Sequence, residues 1–120
     1  MPRHRITISQ LEAVTDILNR MTGNPATPYS KNDAGAWTSN RGNFHISGAY
    51  GGFALHQMAT DGGGIRDVLY TGHIPARQLF DLIHAYRTGL EAVEAATKRI
   101  QALEQDKLAL MRDILAPFAA

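Results

Sequence analysis

The sequence contains no cysteine. This absence excludes disulfide bonds, thiolate metal ligands and a cysteine nucleophile, and it is typical of proteins in a reducing compartment. The chain also lacks any apolar run near the roughly 18 residues that a transmembrane helix needs. Its basic start, residues 1–5, leads into a segment with Gln10, Glu12 and Asp16, which does not fit a signal peptide. We therefore expect a cytoplasmic protein with no membrane partner.

A clear excess of charge of one sign is also missing. Lys and Arg number 12, Asp and Glu number 11, and the net charge is +1. DNA-binding proteins usually carry a marked basic excess that neutralises phosphates, so the composition argues against DNA as a partner. With 120 residues the chain is long enough for one domain with a modest core.

Glycine is unevenly distributed along the chain. Nine of the 11 glycines lie within residues 35–72, whereas the flanking segments show helical spacing of apolar residues. The predicted fold class is therefore α+β, with an N-terminal helix, a glycine-rich β region and a long C-terminal helix or helix pair.

The first helix has sequence signals at both ends. Ser9 and Glu12 fit a capping box, in which each side chain bonds a backbone N–H group of the first turn. Gly23 is a typical helix C-cap residue. Pro25 and Pro28 then exclude helix, so a linker is expected there.

The middle of the chain predicts a four-stranded antiparallel β-meander. Turns are expected at Arg41-Gly42, at Gly51-Gly52 and at residues 61–64, and a fourth strand at about residues 65–70. In the expected register Ser47 lies opposite His56. The alternation of side chains then gives a core face and an uncharged polar face. The expected core face comprises Trp37, Phe44, Ile46, Tyr50, Phe53 and Leu55, and the polar face includes His45, Ser47 and His56.

The last helical segment is unusually long. Between Pro75 and Leu115 the only helix-weakening residue is Gly89, where a continuous helix or a hairpin of two helices are both open. Apolar residues from Val93 to Ile114 follow a heptad spacing, interrupted only by Lys107. A continuous helix would be roughly 60 Å long, too long to pack entirely on a domain of this size. We therefore expect an α+β domain over residues 1–90 and a helical, oligomerising extension over residues 91–120.

Catalytic and metal-binding motifs are weak in this sequence. His45 and His56 share a face of the expected hairpin, but no metal-binding spacing supplies a third ligand, so no metal is expected. Ser47 opposite His56 formally resembles a nucleophile and its base, but no orienting acid is identifiable. Neither a catalytic residue nor a cofactor is predicted, and the protein is not expected to be an enzyme.

An anion site has more support. Arg66 follows the triple glycine at residues 62–64, and Arg77 lies in the first turn of the long helix, near His73. Free amides at a helix N-terminus attract anions, and guanidinium groups match phosphate oxygens. The triple glycine by itself is better explained as a flexible hairpin turn than as a ligand loop. Tyr50, beside Gly51-Gly52, is placed either to complete the core or to stack on a planar ligand.

Several segments of the chain resemble a widespread group of small phage and prophage proteins, over about residues 11–89. The resemblance lies in residues 40–45, in 49–55 (AYGGFAL), in the triple glycine at 62–64 and in 73–79 (HIPARQL). The length, the order helix–meander–helix and the glycine–aromatic hairpin are further similar to the phage Thoeris anti-defence sponges.

That resemblance implies an oligomeric, non-catalytic protein in the host cell cytoplasm. Members of the family bind cyclic-ADP-ribose-type immune signals and keep them from the host effector, and some also hold cyclic oligonucleotides. The family's ligand residues do not align with this chain position by position, so a ligand site is assigned by chemistry instead. It comprises Asn43, Tyr50, His56, Arg66, His73 and Arg77. Two alternatives stay open: a phage regulator or adaptor that binds protein through the His45/His56 face, and a small hydrolase of nucleotide signals.

Overall fold

The computed structural model describes residues 5–118 and confirms the α+β class. Helix α1 spans Ile8–Thr22 and helix α2 spans Ala76–Leu115, followed by a short 3-10 turn at Ala116–Phe118. Between the helices lie strands β1 (Tyr29–Lys31), β2 (Trp37–Ser39), β3 (Phe44–Ala49), β4 (Gly52–Met58) and β5 (Ile65–Asp67). None of the described helices combines the length and the apolar character that a membrane span requires.

Helix α1 begins two residues earlier than the sequence predicted. The N-cap is Thr7, whose hydroxyl accepts from the Gln10 backbone N–H, while the Gln10 side chain accepts from the Thr7 backbone N–H. The predicted capping box at Ser9 and Glu12 is therefore wrong. A Gln three residues after a Thr satisfies the same pair of donors, and it lies nearer the chain start. Gly23 ends the helix with a positive φ, as predicted.

The four-stranded meander is wrong in its first strand pairing. Strand β2 pairs with β1, and the second sheet has the order β3-β4-β5, so there are two small antiparallel sheets. The reason lies in the proline-containing linker. Its extended backbone supplies β1, and the Pro28 carbonyl accepts from the Asn40 N–H, which ties the linker to the end of β2. No partner is then left for β3 on that side.

The β3-β4 hairpin turns one residue earlier than predicted. Its two-residue loop is Tyr50-Gly51, and Ala49 pairs with Gly52. As a result His45 lies opposite His56 and Ser47 opposite Ala54, so the predicted pairing of Ser47 with His56 is wrong. A type I′ loop needs positive φ at both central residues, and here Tyr50 rather than a glycine takes the first position.

The core lies between α1, the second sheet and the first turns of α2. Its fully buried apolar side chains include Leu11, Leu18, Leu55, Leu79 and Ile83. Two residues assigned to the core by alternation are instead exposed: Trp37 is 68% exposed and Tyr50 is 97% exposed. Trp37 lies in the separate β1-β2 sheet, and Tyr50 lies in the hairpin loop.

Helix α1 attaches to the sheet through one side chain. Asn19 is 2% exposed, its amide donates to the Phe44 carbonyl at 2.9 Å, and its Oδ1 accepts from the Phe44 N–H at 2.7 Å. Phe44 begins the edge strand β3, whose outward backbone groups would otherwise be unpaired. Asn19 thus takes the place of a neighbouring strand.

Helix α2 is continuous through Gly89, so of the two arrangements left open the single helix is the one formed. The chain divides into two compact units, one extending to Tyr86 and the other starting at Arg87. In the second unit the large apolar side chains between Val93 and Leu115 are exposed.

Candidate functional site

Two rows of side chains cross one face of the β3-β4-β5 sheet. In the first row His45 of β3 lies opposite His56 of β4, and His56 lies opposite Asp67 of β5. Directly opposed residues of antiparallel strands share a face, so the strand register alone places these three groups side by side.

The second row crosses the sheet nearer the hairpin loop. Ser47 lies opposite Ala54, and a β-bridge between Phe53 and Ile74 places His73 beside Ala54. Ala54 is fully buried and carries only a methyl group. Ser47 Oγ therefore reaches across it to His73 Nε2, 3.0 Å away.

The aromatic rings of these rows form a continuous series, which we call the ring ladder: Tyr50, His73, His56 and His45. Consecutive ring centroids lie 5.7, 5.8 and 5.9 Å apart, and all three contacts are edge-to-face. Such spacing and angles are favourable for aromatic pairs. The three histidines are half-buried, and Tyr50 at the end of the ladder is exposed.

Tyr50 adopts a backbone conformation that is unfavourable for its side chain. Its φ is +53°, in the left-handed region that costs an L-residue roughly 1–2 kcal/mol. Its contact with His73 is edge-on, and 97% of its surface is exposed, so little packing compensates for the strain. Tyr70 has the same features, with a φ of +55° and 83% exposure.

At the other end of the ladder, the pKa of His45 is lowered from its ordinary value. Burial lowers the pKa of His45 below 6.5 because it disfavours the charged imidazolium, and the neighbouring His56 lowers it further by charge repulsion. Its Nδ1 lies 3.2 Å from Asn43 Oδ1. We infer that the inner end of the ladder carries neutral imidazole near pH 7.

A cleft with a volume of about 770 Å³ lies next to the hairpin loop. Its walls come from the start of α1 with Arg5 and Thr7, from the loop residue Gly51, and from the start of α2 with Pro75 and Arg77. Arg77 also forms an exposed ion pair with Asp81, one helical turn further on, with Nε and Oδ2 3.5 Å apart. Phe53 lines the cleft from the sheet face opposite the ring ladder. The ladder and the cleft therefore meet around the hairpin loop.

Of the residues that the sequence assigned to a ligand site, four belong to the ring ladder or to the cleft. Tyr50, His56 and His73 belong to the ring ladder, and Arg77 lines the cleft. Arg66 is elsewhere: it is exposed on β5, lies opposite Gln57 on the other face of the sheet, and donates to the Gln57 side chain.

Asn43 is also placed differently, because it is completely buried. Its amide donates to the Pro25 carbonyl at 2.8 Å, and its backbone carbonyl accepts from Met58. These contacts hold the linker against the sheet, and the Asn43 side-chain oxygen also lies beside His45 of the ring ladder.

Sequence reasoning missed three features of the site. The hairpin loop lies one residue earlier than predicted, and the resulting register places His45 beside His56 in the ladder. The Ser47–His73 contact depends on the bridge between Phe53 and Ile74. Arg5 lies before α1 and carried no motif. Among the described residues, no group of three or more His, Asp or Glu side chains is arranged to hold a metal ion.

Comparison with known proteins adds no relative. The chain matches no protein-family model, and it has no significant match among curated proteins or solved structures.

Proposed function

We propose that this protein is a non-catalytic binding protein that sequesters a phosphorylated adenine nucleotide signal of the cyclic-ADP-ribose type. The observation that carries the proposal is Tyr50: an aromatic side chain held in a left-handed conformation, almost fully exposed, at the end of the ring ladder and beside the two-arginine cleft. A residue whose strained backbone is not offset by packing within the fold is a candidate for a functional role.

The ring of Tyr50 supplies a surface for a nucleobase. Because 97% of its surface is exposed, most of the ring is available for stacking. Stacking of a base on an aromatic side chain contributes about 1–3 kcal/mol. The neutral end of the ladder offers imidazole nitrogens that can donate to or accept from the base or a ribose.

The cleft supplies the electrostatic part. Arg5 and Arg77 line it, and the starts of α1 and α2 both border it, so backbone N–H groups add partial positive charge. Residues 1–90 carry eight Lys or Arg and six Asp or Glu, an excess of +2, whereas residues 91–120 carry four and five, an excess of −1. A ligand with its base on Tyr50 and its phosphates in the cleft would bend around the hairpin loop, as a cyclic nucleotide does.

The setting we propose follows from the resemblance to phage proteins. A protein that blocks host defence by holding a signal needs tight, stoichiometric binding and no chemical step. A small chain with a ring surface and an anion cleft suits that role. Cyclic oligonucleotides carry the same base and phosphate chemistry and are a second ligand class for the same surface.

Calorimetry with cyclic-ADP-ribose isomers and cyclic oligoadenylates tests this proposal. The wild type should bind at least one of them at about 10 µM or below. Arg77→Ala should weaken binding roughly tenfold to a hundredfold, because charge-assisted hydrogen bonds contribute about 1.5–3 kcal/mol each. Tyr50→Ala should have a similar effect. Arg112→Ala and Tyr70→Ala are the matched controls and should bind as the wild type does.

The calorimetric outcomes separate the site from the function. If the wild type binds but Tyr50→Ala and Arg77→Ala bind equally well, the ligand site has been assigned to the wrong residues. If the wild type binds none of these ligands, sequestration should be abandoned in favour of a protein-binding adaptor.

One contact favours a second candidate, a small hydrolase of nucleotide signals. Ser47 Oγ lies 3.0 Å from His73 Nε2, the distance at which a nucleophile and its general base interact. Ligand recovered after denaturation of the protein decides between the two. Intact ligand supports sequestration. Ligand that is altered by the wild type but recovered intact from Ser47→Ala supports the hydrolase.

A further inference from the structure

The second half of α2 carries an apolar face that follows a seven-residue repeat. With heptad positions labelled a to g, Val93, Ile100, Lys107 and Ile114 occupy a, and Ala96, Leu103 and Leu110 occupy d. The five large apolar side chains among them are all more than half exposed in the single chain, Leu103 the most at 68%. An apolar stripe of this regularity needs a covering partner.

We propose that this face pairs with the same face of a second copy, in a parallel and in-register two-stranded coiled coil over residues 93–114. The residue types select this arrangement. Val and Ile at a with Leu at d favour parallel dimers, and one Lys at an a position sets register and oligomer state at some cost in stability.

The charges beside the seam are self-complementary in this arrangement. Arg99 occupies g and Glu104 the following e position, so each Arg99 faces Glu104 of the second copy. The pair occurs twice because a two-fold dimer repeats every contact. Lys107 at a is bordered by Asp106 at g of the second copy, which places an opposite charge beside the one polar residue in the seam.

The opposite side of the helix fits exposure to water. Glu94 and Lys98, at b and f, form an ion pair with the two charged atoms 3.1 Å apart within the helix. Gln101, Gln105 and Arg112 continue the polar side. As far as Gln105 the helix thus separates an apolar seam from a polar back, as in a two-stranded coiled coil; further on, Leu108 and Leu115 at b are exposed apolar exceptions.

Light scattering of the full chain at micromolar concentration gives the first test. The expected mass is twice the 13.1 kDa of one chain, about 26 kDa, and a mass of one chain would overturn the proposal. Leu103→Asp should give the monomer with its first unit still folded by circular dichroism. An unchanged mass in this variant would place the interface elsewhere.

Disulfide trapping tests whether the two helices run parallel. Because the chain contains no cysteine, an introduced cysteine can pair only with its counterpart in a second copy. In a parallel dimer two d positions face each other at a separation that a disulfide can bridge. Ala96→Cys should therefore form a covalent dimer on mild oxidation, whereas Gln105→Cys, on the polar back, should not. Equal trapping of both variants, or trapping of neither, would contradict the parallel seam.

Charge exchange provides an independent test of register. Arg99→Glu alone should weaken the dimer about fivefold, since it turns two exposed attractive pairs into repulsive ones. The double variant Arg99→Glu/Glu104→Arg should restore the wild-type dimer affinity. Failure of the double variant to recover would exclude the proposed pairing of Arg99 with Glu104.

Discussion

The backbone of Ile74 passes so close to Gly52 that no side chain fits between them. A Cβ built on Gly52 would lie 2.9 Å from the Ile74 carbonyl oxygen and 3.0 Å from the His73 carbonyl carbon. These contacts are with backbone and cannot be relieved by a rotamer change. The close approach lets Phe53 and Ile74 exchange both backbone hydrogen bonds, which brings His73 to Ser47 and to the ring ladder.

Gly52→Ala should therefore displace the segment that carries His73. We expect a loss of about 2 kcal/mol in the free energy of unfolding, the scale of overpacking in a close-packed site. Chemical denaturation measures this loss, and the imidazole NMR signals of His73 and His56 should shift. Gly48→Ala in the same hairpin is the control, because its Cβ would meet only the Phe53 ring at 3.6 Å, an ordinary contact. Equal stability of the two variants would show that the close approach does not constrain the fold.

Tyr50 and Tyr70 should both limit stability through their backbones. Asparagine tolerates the left-handed region better than tyrosine does, so Tyr50→Asn and Tyr70→Asn should each raise the free energy of unfolding by about 1 kcal/mol. Only Tyr50→Asn should lose nucleotide binding. Thermal unfolding combined with calorimetry checks both parts. A Tyr50→Asn variant that is no more stable than the wild type would refute the strain, and equal loss of binding in Tyr70→Asn would refute the special role of Tyr50.

Asn19 should be among the most sensitive polar residues in the chain. Asn19→Ala removes both hydrogen bonds to Phe44 and leaves a buried N–H and a buried carbonyl on the edge of β3 without partners. Each unsatisfied group costs about 1–3 kcal/mol, so we expect a loss of about 3 kcal/mol in unfolding free energy. Arg20→Ala, at the exposed neighbouring position, should change stability by less than about 0.5 kcal/mol. A small effect of Asn19→Ala would mean that water replaces the amide at the strand edge.

Local signals in the sequence were sufficient for the element types but not for the strand pairing. Gly23 and the prolines marked the end of α1, and heptad spacing marked α2, because helix periodicity and capping act over a few residues. The pairing of β2 with β1 instead depends on the Asn40–Pro28 contact between segments 12 residues apart. Whether β2 pairs with β1 or with β3 depends on contacts between segments that are distant in the sequence, and turn residues alone do not determine it.

For the candidate site, the sequence predicted several of the residues but not their cross-strand pairing. Tyr50, His56 and His73 were selected by residue type, and the structure places their rings in one series. The loop position was predicted one residue late, and that error hid the direct opposition of His45 and His56. A change of one residue in a hairpin loop alters every cross-strand pair, which is why register was the least predictable feature. Arg66 was selected for its charge, and strand alternation places it on the other face of the sheet.

The lowered pKa of His45 predicts a stability that depends on pH. In the unfolded chain this imidazole takes up a proton near pH 6.5, whereas in the folded protein burial and the neighbouring His56 keep it neutral to lower pH. Between these two values the unfolded state binds more protons, so the free energy of unfolding should fall as the pH drops below about 6.5. Glu12 and Asp16 of α1 line a small cleft with His45, and their negative charge acts in the opposite direction.

Chemical denaturation from pH 8 to pH 5 measures this dependence. His45→Gln cannot take up a proton, so its unfolding free energy should fall less steeply below pH 6.5 than that of the wild type. Gln78→Ala, at an exposed position on α2 that carries no titrating group, is the control and should keep the wild-type slope. If His45→Gln retains the full wild-type slope, the pH dependence arises from another group, and the inner end of the ring ladder does not exclude the imidazolium.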